Sequence, residues 1–217
     1  MFRETRRTAV AEFELAAMGP LLISSGISTK TDPTLPDNVF LTGRTDSDGT
    51  LAYVIPGSSI KGVIRHNCSL IGDRETSLFG TVSGGAQKSR VSFHDAYADM
   101  DTIVTGIRAQ TAISPHIQSA KSSSLNNVQT VEKGNFKAGF KLLNFADDEL
   151  FSIIDVLVRI NSGEVRFGGR KSRGFGFMNV KNFSLRITTG FNSDFSAKDE
   201  TVLDSLDEAF FHFGKEE

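Results

Sequence analysis

Short stretches of alternating or mostly apolar residues recur along the chain and predict the strands of a half-buried sheet. They lie at residues 8–18, 51–55, 90–96, 136–143 and 177–187. Each stretch has a length that is ordinary for a strand in a globular protein. We therefore expect a sheet whose strands come from most of the chain.

Three other segments repeat their hydrophobic residues at the spacing of a helix. The first begins with Ser58 as its N-cap and ends at Gly72, since glycine commonly follows the last helical turn. The second begins at Asp147, in a run of three acids that suits the positive end of the helix dipole. The third, residues 198–213, is predicted to be an acidic amphipathic helix with Val202 facing inward.

The predicted order of elements is strand, helix, strands, helix, strand, which indicates an α+β fold of the ferredoxin-like type. Residues 1–217 suit a single large domain with insertions. One insertion is a polar loop at residues 26–50, and loops of this length are uncommon and often functional. Another is a polar arm at residues 108–140, which we interpret as an inserted β-hairpin.

The composition excludes several classes of protein. With a formal net charge of −2, any nucleic-acid site must be a local concentration of basic residues. Cys68 is the single cysteine, so the chain has neither an internal disulfide nor a cysteine-based zinc site. The N-terminus lacks the apolar core of a signal peptide, and no apolar run approaches the ~20 residues of a membrane span. We expect a cytoplasmic protein without a membrane partner.

The clearest local concentration of charge lies near residue 170. From Arg159 to Arg186 the chain has seven Lys or Arg residues and one acid, Glu164. Glycines let backbone N–H groups approach an anion, so this loop is predicted to bind the phosphate backbone of RNA, although an ordinary basic turn is the simpler alternative. Its candidate contacts are Gly168, Gly169, Arg170, Lys171, Ser172, Arg173 and Gly174.

The sequence of this loop can be compared with two known motifs. The glycine spacing before the Lys171-Ser172 pair is wrong for a Walker A loop. Arg173–Val180 approaches the first consensus of the RNA recognition motif, in which Phe175 and Phe177 would stack on bases. The second aromatic consensus is missing from residues 8–18, so we expect both phenylalanines to anchor their strand in the core.

A second candidate site lies at the start of the first predicted helix. The N-terminus of a helix offers free N–H groups and a positive dipole end to an anion. Ser58 and Ser59 lie in this first turn, and Lys61 and Arg65 follow one turn apart. The simpler interpretation is a capped helix with solvated basic residues.

Four segments, in their order along the chain, resemble one protein family. They are Ile55–Arg65 (IPGSSIKGVIR), Leu78–Gly80 (LFG), Ser89–Ala96 (SRVSFHDA) and Phe167–Phe177 (FGGRKSRGFGF). In these segments, and more loosely over about residues 8–187, the sequence is similar to the RAMP superfamily of CRISPR proteins, and more closely to the backbone subunits of type III effector complexes, of the Csm and Cmr kind. Four ordered motifs are more specific than any one of them.

The resemblance implies a modified RNA-recognition-motif fold with a β-hairpin thumb, which would be residues 108–140. It implies that copies of the chain stack along a guide RNA, together with other effector subunits, and pair that guide with a complementary target RNA. Lys61, Arg65 and the Gly168–Gly176 loop match the family's contacts to the guide backbone.

The resemblance also implies cleavage of the target RNA. In the family, a loop aspartate upstream of the IPGSS segment supports metal-dependent attack by the RNA's own 2′-hydroxyl, with Mg²⁺ or Mn²⁺ offsetting charge on the phosphate. The matching residue is Asp37. The family's proline after the Asp-x pair is missing and Arg44 comes late, so Asp32 and Asp46 are alternatives, and all three suit ordinary turns as well.

Three other functions remain open from the sequence. The chain could be a structural RNA-binding subunit with inert loop acids, or a guide-processing endoribonuclease that acts alone through a histidine without metal. It could also be a stand-alone RNA recognition motif protein. The IPGSS segment and the long arm argue against the guide-processing enzyme, and a stand-alone RNA recognition motif protein should bind RNA as a monomer.

Overall fold

A computed structural model describes residues 6–28, 36–45, 49–81, 86–111, 125–191 and 197–214. These residues form a mixed α+β fold with a mostly antiparallel sheet. The strands are β1 (Arg7–Ala17), β2 (Ser24–Ser28), β3 (Asn38–Phe40), β4 (Thr42–Arg44), β5 (Leu51–Ile55), β6 (Val91–Phe93), β7 (Ala96–Ala98), β8 (Val104–Gln110), β9 (Asn126–Leu143), β10 (Met178–Phe191) and β11 (Ala197–Leu203). The helices are α1 (Gly57–Asn67), α2 (Asp73–Phe79), α3 (Asp147–Asn161) and α4 (Leu206–Phe213).

The central sheet runs in the order β11-β10-β1-β9-β7-β5-β4, with β6 also paired to β9. β1 lies between β10 and β9, so that Ala11 faces Leu185 on one side and Phe140 on the other. Its alternate residues point into the core, because Phe13 and Leu15 are buried while Glu14 between them is partly exposed. The alternation of apolar and polar residues that predicted this strand arises because only one face of the sheet is covered.

The helices cover that face. α1 packs against β6 and α3, and α3 packs against β10 and α4. Ile60 and Ile64 of α1 and Ile153 of α3 are fully buried, as the helical spacing of apolar residues requires. Among the described residues, no helix combines the length and the apolar character needed to cross a membrane.

β9 is the strand that joins the central sheet to the arm. Its second half, from Gly134 onward, pairs with β1, and its first half pairs with β8 and, at Asn38, with β3. The β8–β9 pairing starts at Val104 and reaches Asn126, while residues 112–124 of the predicted arm lie outside the described residues. From here on the arm is this β8–β9 ladder, Val104–Gln110 with residues 126–133. The predicted bounds of 108–140 need correction, because the ladder starts before Arg108 and residues 134–140 pair with β1 in the central sheet.

The first predicted helix differs from α1 at both ends. Its N-cap is Pro56, and Ser58 lies inside the first turn, so the prediction of Ser58 as the cap was wrong. The helix ends at Asn67, and Gly72 instead precedes α2, which the sequence did not predict. α2 was missed because it is short and has two buried residues, Leu78 and Phe79, too few to show a helical period.

Two further predictions need correction. Residues 26–50 are not one loop, because β2, β3 and β4 lie in or across this range and tie it to β5 and β9. Residues 198–213 are not one helix, because Ala197–Leu203 adds β11 to the exposed edge of β10 and leaves Val202 49% exposed. Tertiary pairing at a sheet edge overrides the helical period there, and the helix starts only where Ser205 accepts a hydrogen bond from the Glu208 N–H.

Candidate nucleic-acid interface

The predicted phosphate-binding loop, residues 168–174, forms a tight basic projection. Its centre is a 3₁₀ turn at Lys171–Arg173, between two left-handed residues, Arg170 at φ 62° and Gly174 at φ 83°. The side chains of Lys171, Ser172 and Arg173 are exposed, and Arg170 is partly exposed. The turn therefore presents its cations to solvent, as binding of a polyanion requires.

Close backbone packing against residues 18–23 positions this loop. A Cβ at Gly168 would overlap the carbonyl oxygen of Leu22, and a Cβ at Gly176 would overlap the carbonyl oxygen of Phe167. The Gly169 N–H donates to the Leu22 carbonyl at 3.0 Å, and the Gly176 N–H donates to the Pro20 carbonyl at 2.9 Å. Gly168 and Gly176 are thus needed for the fold. The N–H groups of Gly169 and Gly176 do not face an outside anion, contrary to what the sequence suggested.

The loop keeps its positive charge. No ion pair between described residues involves Arg170, Lys171 or Arg173. Partial burial and then the charge of Arg173 lower the pKa of Arg170, which is the effect expected of clustered cations without a neutralising acid. Arg173 donates through Nη1 to Oε1 of Gln110 at 2.5 Å, so the loop is tied to the arm by a neutral partner.

Arg166 belongs to the same surface, although the sequence did not single it out. Its guanidinium lies over the Phe177 ring at 3.8 Å from the centroid, and its Nη1 donates to the Lys171 carbonyl at 2.9 Å. Phe175 is buried with Leu22 and Val128, as expected of a residue that anchors its segment in the core, and Val128 belongs to the arm. Phe177 is only partly buried and is not part of the core as expected, because it lies beneath Arg166.

A groove of about 650 Å³ lies along α1, and we call it the α1 groove. Three of the four segments singled out in the sequence meet there, since α1, the Leu78–Gly80 segment and the start of the Ser89–Ala96 segment all contribute. No periodicity could have shown this convergence, because it depends on how α2 and β6 pack against α1. The lining residues are Ser58, Lys61, Gly62, Arg65, Phe79, Gly80, Thr81, Gln87 and Ser89.

Both predicted cations of the α1 groove have partners from other segments. Lys61 Nζ donates to the Ser89 hydroxyl at 2.8 Å. Arg65 Nε donates to Glu75 Oε1 at 2.5 Å, and its Nη1 lies 3.4 Å from the Gly80 carbonyl. Burial and then the repulsion from the charge of Arg65, one helical turn away, lower the pKa of Lys61.

The N-terminus of α1 already has an acidic partner. The Gly57 N–H donates to Oδ1 of Asp95 at 2.7 Å, and the Ser59 N–H donates to the Pro56 carbonyl at 2.9 Å. Asp95 follows β6, at the break that divides the predicted 90–96 strand into β6 and β7. A carboxylate therefore stands where the sequence suggested an RNA phosphate, and the side chains of Ser58 and Lys61 are the better-placed donors.

Asp37 is the one predicted catalytic residue that can be placed, since Asp32 and Asp46 lie outside the described residues. It immediately precedes β3, is partly exposed, and accepts a hydrogen bond from the Asn127 N–H through Oδ2 at 2.6 Å. Asn127 neighbours Asn126, which pairs with Gln110, the partner of Arg173. The start of β9 thus brings the Asp37 region and the basic loop to the same end of the arm.

The donor set around Asp37 limits how a metal could be held. The described residues contain no group of three or more His, Cys, Asp or Glu side chains that could form a metal site. One carboxylate with a hydrogen-bonded Oδ2 fits a largely hydrated Mg²⁺ or Mn²⁺ that also contacts an RNA phosphate. A single carboxylate does not fit a site in which protein side chains supply most of the metal ligands.

Comparison with known proteins places the chain in a family. The family model described as the RAMP superfamily matches residues 14–179, and this range contains all four segments singled out in the sequence. The match covers more than half of the chain, and the chain belongs to the RAMP superfamily.

The fold is also similar to a solved structure. A chain in the crystal structure of the Csm3–Csm4 subcomplex of the type III-A CRISPR-Cas interference complex aligns with a TM-score of 0.58 and 16% identity. The alignment covers 98% of this chain and 97% of that chain. At this identity the likeness concerns the fold. The search of curated proteins found no match.

Proposed function

We propose that this chain is a guide-RNA-binding backbone subunit of a type III CRISPR interference complex. The observation that carries the proposal is the loop at residues 168–174, where Lys171 and Arg173 are exposed, form no ion pair with any described residue and are positioned by close backbone packing. Membership of the RAMP superfamily and the likeness to a chain of the Csm3–Csm4 subcomplex support it. The fold would then be a ferredoxin-like, modified RNA-recognition-motif arrangement, with β1 and β9 as its central strands.

The binding mechanism follows from the two basic surfaces. Arg170, Lys171 and Arg173 attract the RNA backbone electrostatically, which sets position without reading base sequence. Lys61 and Arg65 in the α1 groove contribute directional donors for a further phosphate. The arm is the thumb, and it would divide the guide RNA between copies of this chain while other subunits of the complex cap the assembly.

We further propose that Asp37 supports cleavage of a target RNA paired with the guide. A divalent cation bound there would offset the charge that develops on the scissile phosphate. The chain's own contribution is to hold the carboxylate beside the arm through the Asn127 N–H. The nucleophile is the 2′-hydroxyl of the RNA, so DNA of the same sequence would not be cut.

A matched pair of variants tests cleavage in the assembled complex with Mg²⁺. Asp37→Asn removes the charge but keeps an oxygen that can accept from the Asn127 N–H, whereas Asp37→Ala removes both. We expect both variants to lower the cleavage rate by at least about 100-fold while target binding is retained. EDTA should abolish cleavage by the wild type, and the assembled complex should co-purify with RNA of defined length.

One observation favours a second function, a structural subunit without catalysis. The Asp37 carboxylate already accepts a backbone hydrogen bond, which is what a purely turn-forming aspartate does. Full cleavage by Asp37→Asn would reject Asp37 as the catalytic residue, whereas target RNA left uncut by the wild-type complex with Mg²⁺ would establish this alternative. Absence of RNA from the purified complex would instead contradict the binding proposal itself.

A further inference from the structure

Arg65 lies between two cavities of different character. On one side it lines the α1 groove, together with Ser58, Lys61 and Ser89. On the other side it lines a smaller cavity of about 330 Å³, and that cavity is also lined by Glu75. Glu75 is not among the residues that line the α1 groove. The Glu75 carboxylate therefore binds Arg65 on the side that faces away from the α1 groove.

The hydrogen bonds of Arg65 fix the orientation of its guanidinium. Nε donates to Glu75 Oε1 at 2.5 Å, and Nη1 approaches the carbonyl oxygen of Gly80, a residue of the groove wall. A guanidinium has five N–H donors in one plane, so these contacts leave further donors directed along that plane. The side chains of Arg65 and Glu75 are 39% and 28% exposed, so neither group is sealed off from a ligand.

Lys61 is held in a corresponding way on the same helix. Its Nζ donates to the Ser89 hydroxyl, whose oxygen is in turn close to the carbonyls of Leu78 at 3.1 Å and Val91 at 2.6 Å. Two cations one helical turn apart are thus immobilised by partners from separate segments. This arrangement suits a single anion with several oxygens better than it suits a solvated helix face.

We propose that Glu75 is a positioning residue, which orients Arg65 so that Arg65 and Lys61 together bind one phosphodiester group of the RNA backbone in the α1 groove. The inference rests on the proposed RNA-binding function and adds to it a residue that does not itself touch RNA. Glu75 is an acid, so a simple charge argument predicts the opposite effect, namely that it weakens RNA binding. The location of Glu75 behind the guanidinium favours orientation over repulsion.

The two effects separate in a set of variants of the full chain, with binding of a short single-stranded RNA measured by fluorescence anisotropy. Glu75→Ala should weaken binding about fivefold, and Arg65→Ala about tenfold. Glu75→Gln should bind nearly as well as the wild type, because the amide oxygen still accepts from Nε. The double variant Arg65→Ala/Glu75→Ala should bind no more weakly than Arg65→Ala, since Glu75 acts only through Arg65.

Several outcomes overturn the proposal. Tighter binding by Glu75→Ala would show that Glu75 competes with RNA, and an additive double variant would show that Glu75 does not act through Arg65. If replacing both Lys171 and Arg173 by alanine weakens binding while Glu75→Ala does not, this inference alone fails. If the wild-type chain binds no RNA, the proposed function fails as well. Thermal unfolding of Glu75→Ala and Glu75→Gln separates a loss of orientation from a loss of folded protein.

Discussion

The loop at residues 168–174 and the α1 groove combine the same residue types but present them differently. Each has small residues beside two or more cations, and both looked alike in the sequence as phosphate-binding candidates. In the loop Lys171 and Arg173 are exposed and form no ion pair with any described residue, whereas in the groove Lys61 and Arg65 are partly buried and bonded to Ser89 and Glu75. The loop therefore suits long-range attraction, and the groove suits directional contact with one group.

The two surfaces are also held by different means. The loop depends on glycine, because its backbone lies directly against the carbonyl oxygens of Leu22 and Phe167. Beside the groove the support is an ion pair, because Arg90, next to Ser89, donates to both carboxylate oxygens of Glu149 and to the Asn144 carbonyl. Three predictions test this contrast, starting from the largest expected effect.

Gly176→Ala should remove the support of the loop. A Cβ there would overlap the Phe167 carbonyl at a residue with φ 85°, so we expect a loss of about 4 kcal/mol in the free energy of unfolding. Gly174→Ala is the matched control, because it has φ 83° but no atom within 4 Å of the added Cβ. The control should lose only about 1–2 kcal/mol, the cost of the left-handed conformation. Equal losses in a urea titration would show that backbone packing does not position the loop.

Glu149→Gln should lower the free energy of unfolding, because it removes the ion pair beside the α1 groove. Glu149 is 7% exposed, and removing one member of a buried ion pair costs about 3 kcal/mol. Burial opposes ionisation of Glu149, but hydrogen bonds from Arg90 and the Ala146 N–H, and the charges of Arg90 and Arg74, outweigh burial, so its pKa is lowered in the folded protein.

The lowered pKa of Glu149 gives this second prediction a dependence on pH. A carboxyl whose pKa is depressed by folding stabilises the protein above its unfolded pKa of about 4.5, and this contribution is lost as the pH falls through the folded pKa. The wild type should therefore lose stability in acid more steeply than Glu149→Gln, measured by thermal unfolding between about pH 6 and pH 3. Parallel curves for the two proteins would contradict the assignment.

Lys171→Ala/Arg173→Ala should have the smallest effect, and one confined to RNA binding. We expect about tenfold weaker binding at 0.1 M salt, and a slope of log K against log salt that is shallower by about 1.4, for two lost phosphate contacts. Arg186→Ala is the control, because Arg186 is an exposed cation of β10 that already pairs with Glu200 at 3.0 Å. A control that loses as much affinity would mean that overall charge, and not this loop, attracts RNA.

The sequence was most informative where one local pattern decides one element. The alternation of residues 8–18 predicted β1, and the acids at Asp147–Glu149 marked the start of α3, because both signals report burial or capping within a few residues. The same reasoning was wrong at residues 198–213, although the Ser205-x-x-Glu208 spacing of a capped helix start was present. The pairing of β11 with β10 decided that segment, and such pairing depends on an edge elsewhere in the chain.

The sequence by itself determined the principal strands and helices, the basic character of the 168–174 loop and the resemblance of four segments to the RAMP superfamily. Only the tertiary structure decided what those residues touch. It brought three segments to the α1 groove, paired Arg65 with Glu75, tied Arg173 to Gln110 and showed that Gly168 and Gly176 serve packing. Local periodicity records which side of an element is buried, but the partner on that side is set by strand register and by contacts between distant segments.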